Sequence, residues 1–154
     1  MTRFITAFDR IIIGCCRTLA LPVSRISIAI VYIWFGILKL GSTSAAAPLV
    51  QALHDHMIPF FSIGDTMIVL SIFEITVGIV ILIPHFERLA LFLFGVHMII
   101  VSFPLYILPT YTWQAPFVPT LEGQYIMKNL VLIALAISIV AHLHPFTAGN
   151  TRKV

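Results

Sequence analysis

Charge is what this 154-residue chain has least of. Only 10% of its residues are Asp, Glu, Lys or Arg, where a soluble domain carries about 25%. With 60% hydrophobic residues and a mean hydropathy of +1.06, the shortfall excludes a disordered chain and an ordinary soluble enzyme. The net charge of +3 comes from nine Lys and Arg that form no basic cluster, which excludes a nucleic-acid surface. Cysteine is equally scarce. Cys15 and Cys16 are adjacent, and neighbours on a helix diverge by about 100°, so a bond between them would be strained. With no Cys-x-x-Cys anywhere, a thiol–disulfide enzyme handing electrons to a quinone lacks its reactive pair. A Gly-rich phosphate loop, a nucleophile elbow and a Walker-type motif are also absent.

What is abundant is long apolar sequence between prolines. Four spans of about 20 residues would use about 80, and the chain supplies them at about 24–42, 65–83, 89–108 and 121–143. The expected fold is all-α: a polytopic, antiparallel four-transmembrane-helix bundle occupying 22–146, with a short basic tail at 147–154. Pro22 is expected to break the chain before the first span, with Ser24 as its cap. Pro48 to Met57 reads as a short helix ended by Pro59. The tight connection Pro84–Arg88 makes spans two and three antiparallel neighbours. Pro104 is expected to bend the third span, and 110–119 to be an aromatic loop. Thr120 reads as an N-cap and Glu122 as a first-turn carboxylate complementing the helix dipole.

Residues 1–21 do not read as a cleavable signal, because Asp9 and Arg17 interrupt a short apolar run. Arg3, Arg10 and Arg17 recur every seven residues on one helical face. Phe4, Phe8, Ile11, Ile12, Cys15 and Leu19 fill the other. The pattern fits an amphipathic helix lying in the membrane interface, arginines towards anionic headgroups; a tail simply extending the first span is the alternative. Seven basic residues (Arg3, Arg10, Arg17, Arg25, Arg88, Arg152, Lys153) fall on the side of the tails and the tight loop, against Lys39 and Lys128 on the other. By the positive-inside rule both termini are cytoplasmic, and the long loops 43–64 and 109–121 face outward.

In so apolar a chain the ionisable residues at membrane depth are informative, because each costs about 2.5–3.5 kcal/mol on insertion scales. Glu74 lies in the second span on a face with Met67, Ser71 and Gly78. Tyr32, Gly36 and Lys39 align in the first span. His97, Val101 and Pro104 align in the third, and Glu122, Tyr125, Lys128 and Asn129 open the fourth. Two lysines and two glutamates sum to neutrality, as a low-dielectric site requires. The candidate site is therefore an outer-half polar cavity of Tyr32, Lys39, Glu74, His97, Glu122, Lys128 and Asn129. Two readings stand: interhelical pairs that hold the bundle together, or a cavity for a quinone headgroup or a small anion. His54, Asp55 and His56 are metal-ligand types, but i and i+2 do not share a helical face, so they form only a weak metal candidate. No haem is expected, since only His97 is deep.

The first-span residues Arg25–Ile30 and Trp34–Lys39, Glu74 with Gly78, the pair His97–Met98, and above all Pro119–Leu132 (PTLEGQYIMKNLVL) resemble the DoxX-like membrane proteins. Within them the chain is most similar to the YkgB-type branch, over roughly residues 22–143. The resemblance implies a bacterial inner-membrane four-helix bundle linked to redox or oxidative-stress chemistry. Relatives include a subunit of thiosulfate:quinone oxidoreductase and a partner of membrane oxidoreductase complexes. The positions matching the family are Lys39, Glu74, Lys128 and Asn129. The expected function is thus a redox- or stress-associated membrane subunit with a site for a quinone or small anion. The alternative is a non-catalytic scaffold for a partner oxidoreductase or a homo-oligomer, and a small transporter ranks below both because four short-looped spans need oligomerisation to build a pathway. The expected surroundings are lipid, with no nucleic-acid partner.

Overall fold

Apolar runs bounded by prolines become helices because lipid offers the backbone no other hydrogen-bond partners. The computed structural model describes residues 2–41, 43–143 and 145, with side chains from Ile5 onward. The elements are α1 (Thr2–Leu40), α2 (Ala47–Met57), α3 (Ile63–Val80), α4 (Glu87–Ser102), α5 (Pro104–Ile107), α6 (Pro109–Thr112), β1 (Trp113–Ala115), β2 (Val118–Pro119), α7 (Leu121–Met127) and α8 (Asn129–Ala141). Among the described residues, Ile5–Leu40, Ile63–Val80, Glu87–Ile107 and Leu121–Ala141 are long and apolar enough to cross a membrane. Neighbour contacts run α1 to α3, α3 to α4, α4 to α8 and α8 back to α1, closing a ring of four. The all-α bundle expected from sequence is the fold observed. The tail 147–154, His144 and the side chains of Arg3 and Phe4 lie outside the described residues.

Two expectations at prolines are corrected. Pro22 does not end a separate N-terminal helix: α1 runs unbroken through it, and Ser24 is a buried helical residue rather than a cap. Pro22 lacks the N–H that would reach the carbonyl of Thr18, but one missing bond within 39 residues leaves the rest of the ladder in place. Pro104 does more than bend its span. The helix stops at Ser102, Phe103 intervenes, and Pro104 starts α5, the first-turn position where a missing N–H costs nothing. The stretch expected as a loop at 110–119 holds α6 and a hairpin, with Phe117 in the left-handed region (φ 63°) between its strands. Thr120 does cap α7, its Oγ1 accepting from Gly123 N at 3.1 Å, and Glu122 sits in the first turn.

Two glycines let α1 and α3 approach closely. A Cβ on Gly36 would stand 2.7 Å from Ile75 Cγ1 and 3.0 Å from the Ser71 carbonyl of α3. A Cβ on Gly78 would stand 2.8 Å from Ile33 Cγ1 and 3.1 Å from the Ala29 carbonyl of α1. Small residues facing one another let backbones approach, which is how helices associate where lipid removes the hydrophobic drive. This contact sets the register of α1 against α3. The apolar core of Ile28, Ala29, Tyr32, Val77, Ile81, Ala90, Phe94, Met98, Ala136 and Ile139 lies along it.

Candidate functional site

Because α1 and α3 meet at Gly36 and Gly78, the side chains one turn beyond Gly36 and one turn before Gly78 face each other. Lys39 Nζ donates to both carboxylate oxygens of Glu74, at 2.8 and 2.6 Å. Glu74 has no base on its own span; it finds one on α1. From α4, His97 brings Nε2 to 3.3 Å from Glu74 Oε1, within charge-pairing distance but out of line for a hydrogen bond. His97 Nδ1 lies 2.9 Å from the Tyr32 hydroxyl. With the ring proton on Nε2, towards the carboxylate, the phenol donates to Nδ1 and the two contacts are mutually consistent. The result is a chain across three helices: Lys39 to Glu74 to His97 to Tyr32.

All four residues are buried, Lys39 at 8% exposure and Tyr32, Glu74 and His97 at 5% or less. Aromatic rings seal them. Phe73 and Tyr32 stand 5.6 and 5.3 Å from the His97 ring, and Phe94 stands 5.6 Å from Tyr32. Phe35 lies 5.9 Å from the Lys39 ammonium. Glu74 is eleven residues into α3, about 16 Å at 1.5 Å per residue. The cluster therefore lies near the middle of α3, at the inner limit of the outer half expected from sequence, with Lys39 reaching inward to it.

Three of the expected residues do not join. Lys128 is exposed and lies over the Tyr125 ring at 4.9 Å. Glu122 and Asn129 are half-buried on the fourth span, and among the described residues no ion pair involves Glu122 or Lys128. The inward face of that span is set by Gly123, Ile126, Ala136 and Ile139, and Lys128 is off it. Two surface hollows of about 230 and 360 Å³ are apolar; one is lined by residues such as Ile30, Ile33 and Trp34, the other by Met98, Phe103 and Ile133, and neither lining includes a member of the chain.

The metal candidate is occupied otherwise. His54 is buried, its Nε2 3.1 Å from the Phe61 carbonyl and its Nδ1 3.1 Å from Thr66 Oγ1, so both ring nitrogens tie α2 to the start of α3. Asp55 accepts from Gln51 Nε2 at 2.8 Å. His56 is exposed, and among the described residues no three ligand-type side chains converge.

Sequence reasoning used Arg25 as a marker of orientation and of family resemblance and missed its partner. At the opposite end of the bundle Arg25 Nε donates to the Ile81 carbonyl at 2.8 Å, and Nη1 pairs with Glu87 Oε1 at 3.1 Å. One side chain of α1 thus ties the end of α3 to the start of α4. The available signal was an acid just past the helix-stopping Pro84, opposite an arginine at the start of the first span.

Four membrane-length apolar helices around a buried ionisable chain define a multi-pass, all-α membrane protein in contact with lipid. Comparison with family models, curated proteins and solved structures finds no match.

Proposed function

We propose that this protein is a redox-associated subunit of a bacterial inner membrane, with both termini cytoplasmic, whose Lys39–Glu74–His97–Tyr32 chain holds and passes a proton for a quinone or small anion. The observation that carries the reading is the buried row of close contacts from an ammonium through a carboxylate and an imidazole to a phenol, hydrogen-bonded at both ends and joined in the middle by the 3.3 Å approach of His97 to Glu74. Each of these groups exchanges protons, and ionisable residues inside membranes mark proton relays and ligand sites. The resemblance to DoxX-like proteins supplies the redox setting. A ligand reaches the chain only when the aromatic ring around it opens, so binding and proton movement are coupled.

A second reading, a non-catalytic scaffold for a partner oxidoreductase, is favoured by the burial of all four side chains, which leaves little of them exposed to a ligand. Lipid extraction of the protein purified from membranes separates the two. A quinone in stoichiometric amount, lost in Tyr32→Phe and Glu74→Gln variants that still accumulate in the membrane, supports the first. No quinone, with a co-purifying protein retained by the same variants, supports the second.

A further inference from the structure

The first turns of α1 stand clear of the bundle core. From Ile5 to Leu19 every residue is exposed, and the first buried one among the described residues is Ser24. At 39 residues the helix is about 58 Å long, against a hydrocarbon thickness of about 30 Å. The Arg25–Glu87 pair marks one end of the bundle and Lys39, next to Leu40, the other, so the residues before Pro22 are surplus to the crossing. They are not built for water: Ile5, Phe8 and Ile11 are 58–69% exposed. Phe8, Ile12, Cys15 and Leu19 form a stripe at three- and four-residue spacing, and Arg10, Gly14 and Arg17 lie on the opposite side.

We propose that residues 5–19 form an arm that hinges at Pro22 and lies on an anionic membrane surface. The occupant is lipid rather than a second copy because the bilayer already covers the same helix from the bundle onward. The arm also carries two arginines against the single acid Asp9, a charge complementary to anionic headgroups. Pro22 is exposed, just beyond the last exposed turn of the arm, and it removes the backbone bond that would hold the helix straight there.

The test uses the full chain in nanodiscs containing phosphatidylglycerol. Spin labels are placed at Cys15 with Cys16→Ser, and at Gly14→Cys with both native cysteines replaced by Ser; a Cβ at Gly14 meets nothing within 4 Å. The Cys15 label is expected to collide with oxygen several-fold more than with a water-soluble nickel chelate. The Gly14→Cys label is expected to show the reverse. Both Pro22→Ala and the double variant Arg10→Glu/Arg17→Glu are expected to lower the Cys15 preference several-fold. Equal water exposure at both sites overturns the proposal, as does dipolar coupling between Cys15 labels of two copies, or a Cys15 preference that neither variant changes.

Discussion

The central residue-scale fact is that Glu74 and Lys39 are each costly alone and compatible together. Removing one partner of a buried pair leaves an uncompensated charge, at about 3–5 kcal/mol. Replacing both by apolar residues of similar volume removes the penalty along with the attraction. Lys39→Ala is therefore expected to destabilise the folded protein by about that amount, and Lys39→Met/Glu74→Leu to restore most of it. Reversible unfolding in mixed micelles checks this. A double variant as unstable as the single one would show that the pair contributes stability beyond mutual neutralisation. His97 was equally legible as a deep polar residue in an apolar run. That Tyr32, and not Lys128, is joined to it was not legible, because sequence gives depth along a helix far better than the direction a residue faces around the bundle.

At the scale of elements the site depends on how closely α1 approaches α3. Gly78→Ala places a Cβ against Ile33, Ala29 and Tyr32, with Ile33 Cγ1 at 2.8 Å. Overpacking of this kind costs about 1–3 kcal/mol, and here it also pushes Tyr32 away from His97. The expected outcome is a moderate loss of thermal stability together with loss of the Tyr32–His97 hydrogen bond, read from the imidazole nitrogen shifts in NMR of labelled protein. Gly95, where a Cβ would meet nothing within 4 Å, is the control: Gly95→Ala leaves both unchanged. A Gly78→Ala protein with wild-type nitrogen shifts would show that the α1–α3 distance does not position the chain. The element boundaries show what sequence could and could not supply. The helix from Pro48 was expected and forms as Ala47–Met57, because a proline on each side delimits it. The hairpin at 113–119 was missed because two strands of three and two residues leave no periodicity to detect.

For the whole molecule, the path of four spans puts α2 and the hairpin at one end and the Arg25–Glu87 pair at the other. Two groups should therefore report opposite sides of a sealed membrane. Phe117 is 94% exposed between the strands, and Gly14, on the arginine side of α1, has open space where a Cβ would stand. In right-side-out vesicles of variants with both native cysteines replaced by Ser, a membrane-impermeant maleimide is expected to label Phe117→Cys at once and Gly14→Cys only after the membrane is opened. Labelling of both before opening would contradict either the four-crossing path or the proposed cytoplasmic termini.

The sequence by itself determined the class of protein, the approximate limits of its spans and which side chains would be costly at depth. Each of these follows from local composition: about 20 apolar residues cross a bilayer, prolines delimit them, and an ionisable group among them stands out by its transfer cost. Only the tertiary structure decided which of those groups meet. Lys39, Glu74, His97 and Tyr32 come together while Glu122 and Lys128 stay apart, because pairing depends on neighbour order and on the rotation of each helix about its own axis. Both are fixed by the packing of distant surfaces, and in particular by Gly36 and Gly78, where the absence of two side chains lets α1 and α3 come close enough for a lysine to reach a glutamate.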